Sequence, residues 1–187
     1  MSCITGIASD IINDCTLAPV AGVEETMYVF NKEELTAVKS LTNDNLVTDL
    51  TVIIGKKGFK VKGFKKSSNA KSTLVVTDTL PDMYTQTMEF TVWGKDAETV
   101  KELKQLNNVV FVVEKKDKGA SGDSAFAMYG YETGLFKATL EQDSNADGGV
   151  FKVSMVAEGQ STPYFNVYDT SYATTKAMLE ALLVVQV

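Results

Sequence analysis

The sequence predicts an α+β fold dominated by strands, with two or three short helices packed outside. Three observations carry this. Short runs rich in β-branched and aromatic residues recur along the chain, from Met27-Tyr28-Val29-Phe30 to the stretch ending at Tyr168. Helical spacing of apolar residues is confined to brief stretches, each opened by a residue able to cap a helix. The 187 residues are 44% hydrophobic and 22% charged, enough to bury one core and too few for two full domains. The expected organisation is an extended arm over residues 1–22 and a single β-rich domain over residues 23–187.

In chain order, Ile4 to Val23 has mixed polarity and contains Pro19 and Gly22, which fits an arm; Ile7 to Ile12 within it reads as a strand or one helical turn. Met27 to Phe30 is a strand. Asn31 with Glu34 three residues later has the form of a capping box, which predicts a short helix through Val38. Leu46 to Ile54 is apolar again. From Gly55 to Lys66 lysines alternate with apolar residues, so Lys57, Phe59 and Val61 share one strand face and Lys60, Lys62 and Phe64 the other. Ser67 to Ala70 reads as a loop tip. Thr73 to Thr79 and Tyr84 to Trp93 are strands separated at Leu80-Pro81-Asp82, because proline donates nothing to a sheet ladder. The middle third is therefore expected to be a meander with one long excursion.

Asp96 can cap a helix through Leu106 that presents Val100, Leu103 and Leu106 on one face and serves as a surface cover for the sheet. Val109-Val110-Phe111-Val112-Val113 is apolar throughout, as expected of a strand buried on both faces. After a charged loop to Asp123, strands are expected at Ala125 to Tyr131, Leu135 to Leu140 and Gly149 to Ala157, with a turn from Asp143 to Gly149. A last strand ends at Tyr168, and Thr170 or Ser171 can cap a closing helix carrying Met178, Leu179, Leu182 and Leu183. The glycines of Tyr129-Gly130-Tyr131-Glu132-Thr133-Gly134-Leu135 suggest a bulge or tight bend at a sheet edge.

The formal net charge is −6, and all 18 basic residues are lysines; there is no arginine and no histidine. Sequence-specific nucleic-acid reading loses its usual bidentate residue. Ser-His-Asp and Cys-His chemistry and most zinc sites are removed at once. Cys3 and Cys15 lie close together in sequence, too few for a disulfide scaffold. Met1 to Ile7 lacks the basic start and apolar run of a secretory signal, and no stretch approaches the ~20 apolar residues of a membrane span. The expectation is a chain made in the cytoplasm, with no membrane partner and no cofactor, that is not an enzyme.

Asp143-Ser144-Asn145-Ala146-Asp147-Gly148 matches the opening of a calcium loop, and Asp143, Asn145 and Asp147 are its candidate metal ligands. The twelfth position is Ser154 instead of glutamate, so an ordinary hairpin turn explains the same residues. Lys56, Lys57, Lys60, Lys62, Lys65, Lys66 and Lys71 offer a basic surface for an acidic neighbour, or a solvated edge that discourages strand pairing. Acid pairs such as Glu24 with Glu25 have no companion nucleophile that sequence can place.

The order of elements resembles the tail-tube and tail-ring structural proteins of bacteriophages. The local likeness rests on Tyr129 to Leu135, the Asn/Asp/Gly turn, Phe151 to Glu158 and Pro163-Tyr164-Phe165, which are similar to segments in virion proteins of phages of gut Bacteroidales. It spans most of the chain from Val20 onward. The resemblance implies a tail-tube-like β-sandwich or partly closed barrel whose copies join edge to edge into a ring, a hexamer or dodecamer. Such rings stack with other tail or connector proteins into a conduit through which viral DNA passes without sequence-specific contacts. The excursion hairpin would correspond to Gly55 through Val76, and strand-edge logic selects Phe59, Lys60, Val61, Lys62, Phe64 and Lys65 as subunit-interface residues. The long arm departs from a clear tube pattern, which leaves tube, collar ring and head-tail connector open. The alternative is a calcium- or carbohydrate-binding β module using Asp143, Asn145 and Asp147 with Trp93 and Tyr164.

Overall fold

The computed structural model describes residues 21–64, 67–78, 81–94, 96–119, 121–145 and 148–186. Residues 1–20 of the expected arm, both cysteines, Lys65 and Asp147 lie outside the described residues. Within them the chain forms β1 (Val23–Asn31), a 3-10 turn (Lys32–Glu34), β2 (Leu35–Lys39), β3 (Leu46–Val52), β4 (Phe59–Lys62), β5 (Asn69–Val75), β6 (Met83–Val92) and α1 (Ala97–Gln105). It continues through β7 (Val109–Lys115), β8 (Phe126–Tyr129), β9 (Phe136–Gln142), β10 (Phe151–Gln160), β11 (Phe165–Val167) and α2 (Tyr172–Ala181). Strands dominate, two α-helices flank them, and both sheets are open. A seven-stranded sheet runs in the order β2-β3-β11-β8-β7-β1-β4, and a four-stranded sheet runs β5-β6-β10-β9. All ladders are antiparallel except the short parallel pair of β11 with β3.

β7 is apolar on both faces because it serves two cores. Val109, Phe111 and Val113 point towards the small sheet, where they meet Met88, Phe90, Val153 and Met155. Val110 and Val112 point the other way, to a second cluster that includes Leu179 and Leu182 from α2 and its C-cap. The large sheet is therefore the middle layer, with the small sheet on one side and α2 on the other. Side chains of this size, fully buried, each contribute roughly 1.5–3 kcal/mol, and the Val109–Val113 run supplies them in both directions. Neighbouring β1 follows the same logic, with Met27 and Val29 in the first cluster and Tyr28 and Phe30 in the second.

Both helices begin where their caps predict. Asp96 accepts from the Thr99 amide at 2.8 Å, and Leu103 is the buried residue of α1. Ser171 and Thr174 form a reciprocal capping box at α2. The predicted helix through Val38 does not form. Asn31 does bond Glu34 at 2.9 Å, but the turn stops at Glu34 and Leu35–Lys39 becomes a strand pairing with β3, Ala37 opposite Leu50. Thr36 and Val38 are β-branched, and a ladder satisfies the backbone groups of this segment better than a few exposed turns would.

The expected hairpin over Gly55–Val76 is also corrected. β4 ends at Lys62 and belongs to the large sheet, whereas β5 begins at Asn69 and belongs to the small one. The chain steps between sheets in that interval: the Gly63 amide bonds Glu25 of β1 at 2.8 Å and the Phe64 amide bonds Thr91 of β6 at 2.7 Å. Ser67 to Ala70 is accordingly no loop tip, since Asn69 and Ala70 already pair with Glu89 and Met88. The bend at Gly130 to Gly134 leaves an interior strand of the large sheet, since β8 sits between β11 and β7, and leads into β9, the terminal strand of the small one. There the chain crosses from β8 to β9 in the other sheet, with Gly130 at φ 79° and Gly134 at φ 83°. Buried Gln86 anchors this crossing, accepting from the Gly130 amide at 2.7 Å and donating to the Thr162 carbonyl at 3.0 Å.

Candidate functional site

Among the described residues, the two open sheets leave four terminal strands: β2, β4, β5 and β9. β4 is the one that contains the residues selected from the sequence. It pairs on one side with β1, Val61 opposite Met27 and Lys60 opposite Tyr28, and terminates the sheet on the other. The alternation read from the sequence holds over Phe59–Lys62. Val61 packs against the sandwich core and Phe59 lies on the same face, 48% exposed. Lys60 and Lys62 take the opposite face, towards α2.

Each face of β4 walls a hollow. On the Phe59 and Val61 side a groove of about 560 Å³ runs between β4 and α1, with Val92, Leu103, Leu106 and Val109 inside and Glu98 and Glu102 at the helix side. On the Lys60 and Lys62 side a hollow of about 520 Å³ is lined by Glu24, Glu25, Tyr28, Glu114, Lys116, Lys118, Tyr172, Lys176 and Glu180. The first is largely apolar, and the second is lined mainly by charged side chains with Val23, Thr26 and two tyrosines among them.

The charged hollow is organised by Glu114, which sequence reasoning missed. It continues the Val110 and Val112 face of β7 and so points into the α2 side, where it is 7% exposed. Tyr172 donates to Oε1 at 2.6 Å, Lys118 to Oε1 at 2.7 Å and Lys176 to Oε2 at 3.1 Å. Burial alone pushes its carboxyl up, and this is the largest single influence, but the three donors together outweigh it and hold it below the ordinary value. The amines respond in kind: bonding to Glu114 raises Lys118, and bonding to Tyr172 and then Glu114 raises Lys176. The Tyr172 ring is fixed by stacking on Phe126, centroids 5.5 Å apart.

A second pairing closes the same hollow near β4. Glu180 accepts from Lys60 at 2.6 Å and from the Tyr28 hydroxyl at 2.8 Å, which holds its carboxyl low, Lys60 contributing most. Burial, then that hydrogen bond, raises Tyr28 well above the ordinary phenol. Glu114, Glu180, Lys118 and Lys176 all move towards their charged forms, whereas Tyr28 is held as the neutral donor, so the arrangement suits fixed charge pairing.

The other sequence candidates distribute as follows. Phe64 lies beyond the end of β4, edge-on to Trp93 with centroids 5.1 Å apart, and so does not share the strand face of Lys60 and Lys62. Asp143 accepts the Asn145 amide on its carboxylate at 2.8 Å and the Gly149 amide on its carbonyl at 3.1 Å, which makes this the turn of the β9–β10 hairpin. Asp147 lies outside the described residues, and no group of three or more His, Cys, Asp or Glu converges on a metal position among the described ones. Trp93 is 65% exposed, but Tyr164 is half-buried against Tyr129 with the Lys115 amine 4.9 Å from its ring.

Exposed apolar side chains gather in two further places. Ile53 and Ile54 precede β4 and are brought beside Val184 and Val185 by reciprocal backbone bonds of Gly55 and Lys56 with Gln186. Leu74, Val75, Val76 and Met83 lie at the far end of the β5–β6 pair. No helix of the described residues is long and apolar enough to cross a membrane. Comparison with models of protein families, with curated proteins and with solved structures finds no match to this chain.

Proposed function

We propose that this chain is a structural subunit of a phage virion tail, tube or ring, which assembles with copies of itself into a ring that forms part of a conduit for the genome. The observation that carries the reading is the border of the large sheet at β4, which among the described residues has no strand on its outer side and lies between two hollows and beside exposed Phe59, Ile53 and Ile54. Unpaired strand borders are association surfaces, and natural proteins cover them when the chain works alone. The exposed apolar end of the β5–β6 pair offers a second contact of the same kind, suited to a neighbouring subunit or ring. An acidic chain with net charge −6 suits a wall past which DNA slides without specific contacts.

The test is mass measurement and negative-stain microscopy of the purified full chain over a range of concentrations, alone and with neighbouring tail proteins. Closed rings of one size, hexameric or dodecameric, are the expected result. A species that stays monomeric under all of these conditions refutes the proposal.

A further inference from the structure

We propose that β9 of one copy pairs with β5 of a second copy, antiparallel and with Leu140 opposite the second copy's Leu74, so that the small sheets of successive copies run on as one. This rests on the assembly reading above and names the strands that join the small sheets. Among the described residues the four borders are unequal. β2 has five residues, and the amides of Leu35 and Ala37 are already bonded, to the Lys32 carbonyl and the Tyr131 hydroxyl. β4 has four residues, whereas β5 and β9 have seven each. The start of β9 is occupied: the Lys137 amine donates to the Leu103 and Lys104 carbonyls, both at 2.9 Å, and the ladder with β10 shifts register between Lys137 and Thr139. Thr139–Gln142 is regular, and this run can form four pairs, as many as hold β4 to β1. Beyond their ladders with β10 and β6, the backbones of Thr139–Gln142 and Ser72–Val75 make no hydrogen bond among the described residues.

Direction and side chains select the match. Every ladder of the small sheet is antiparallel, so its first and fourth strands, β5 and β9, run in opposite senses. A second copy set beside the first in the same orientation therefore lays its β5 antiparallel to β9, with both large sheets on one face. Ser72 and Leu74 lie opposite Gln86 and Tyr84, and Leu140 and Gln142 opposite Val153 and Phe151, which puts all four on the core face of the sheet. Leu74 and Leu140 are nevertheless 47% and 37% exposed, and placing them together continues the core layer across the joint. On the outer face Thr139 meets exposed Val75, and Glu141 meets Thr73 with Lys71 one diagonal step away. Glu141 has no ion-pair partner among the described residues, and Lys71 holds Glu89 only at 3.4 Å. Pairing β9 with β9 brings Glu141 beside its own copy, and pairing β5 with β5 does the same for Lys71, so charge favours the mixed joint. The two surfaces differ, which makes the contact head-to-tail, and its repetition closes into a ring when the rotation per subunit allows it.

The experiment uses the full chain carrying Cys3→Ser and Cys15→Ser. One population carries Thr139→Cys and a second, tagged population carries Val75→Cys. After mixing and assembly, a short bis-maleimide is expected to yield a covalent pair containing one copy of each; pairs of Thr139→Cys with itself or of Val75→Cys with itself as the main product overturn the proposal. With both substitutions in one chain, the expected product is a ladder of covalent oligomers ending at the ring, because β5 and β9 of the same copy are three strand steps apart, about 14 Å, beyond the reach of the linker. Leu74→Lys and Leu140→Lys are each expected to weaken assembly about tenfold. Both side chains are exposed in the single chain, so the variants keep the fold, which an unchanged circular dichroism spectrum checks. Glu141→Lys and Lys71→Glu are each expected to weaken assembly about threefold, and the two together to recover most of that loss. If the wild type forms rings and Leu74→Lys forms them equally well, with no mixed cross-link, this inference fails while the assembly reading stands. If the wild type never assembles, both fall.

Discussion

Replacing Glu114 with glutamine keeps the shape of the side chain and removes its charge, which isolates what the carboxylate does at the base of the charged hollow. Three donors converge on it, at 2.6, 2.7 and 3.1 Å. Hydrogen bonds to charged groups are each worth about 1.5–3 kcal/mol in a buried setting. The side chains of Lys118 and Lys176 are 40% and 41% exposed, however, and return to water when the charge is gone, so each of those pairs is nearer about 0.5 kcal/mol. The amide oxygen still accepts from Tyr172, more weakly. The expected loss is about 1.5 kcal/mol, or about 3–6 °C in Tm for a chain of this length. Urea titration followed by circular dichroism measures it, at low protein concentration so that subunit association does not add to the apparent stability. The sign with pH follows from the direction of the shift. Glu114 is held below its unfolded value, so its contribution is present above about pH 4.3 and is lost as the pH falls further, through the folded value. The gap between wild type and Glu114→Gln should therefore close on acidification. A difference under about 0.5 kcal/mol at neutral pH, or one that persists undiminished at about pH 2, refutes the role given to the carboxylate.

Gly130→Ala places a Cβ 2.7 Å from the Leu135 Cγ at a backbone φ of 79°, and is expected to destabilise by about 2–3 kcal/mol, read as a lower urea midpoint at unchanged slope. Ser171→Ala removes the side-chain acceptor of the α2 capping box and should lower stability by about 1 kcal/mol, with Ser171→Asp restoring most of it in the same titration.

What was legible in the sequence was whatever a local pattern determines. The uniform Val109–Val113 run pointed to a strand buried on both faces, Asp96 marked the start of α1, and Thr170 or Ser171 marked that of α2, where Ser171 is the cap. The Asn31 and Glu34 signal was also present in the folded chain, but as a single turn. A capping pair stabilises a start without guaranteeing propagation, and the β3 ladder competed successfully for Leu35–Lys39. Partner choice was not legible at all. Alternation over Gly55 to Lys66 contains β4, and the strand expected at Thr73 to Thr79 overlaps only the end of β5, yet nothing in either run says that one joins β1 and the other β6. Glu114 was findable by extending the period of Val110 and Val112 by one step, since it falls on their face. Lys118 is only four positions on, but Tyr172, Lys176, Tyr28 and Glu180, which complete its surroundings, come from distant parts of the chain; Tyr28 and Glu180 are 152 positions apart.

The double-sided apolar character of β7 has a consequence for how the sheet finds its alignment. In a strand with one wet face, sliding by a single residue carries its oily side into water, and that penalty enforces the correct setting. From Val109 to Val113 a slide merely exchanges oil for oil. At Glu114 the exchange is different: the carboxylate would be carried away from Lys118 and Lys176 into the methionine- and phenylalanine-filled interior, at a penalty of several kcal/mol. One acid at the strand's end thus acts as the index mark that tells an otherwise ambiguous ladder where to stop.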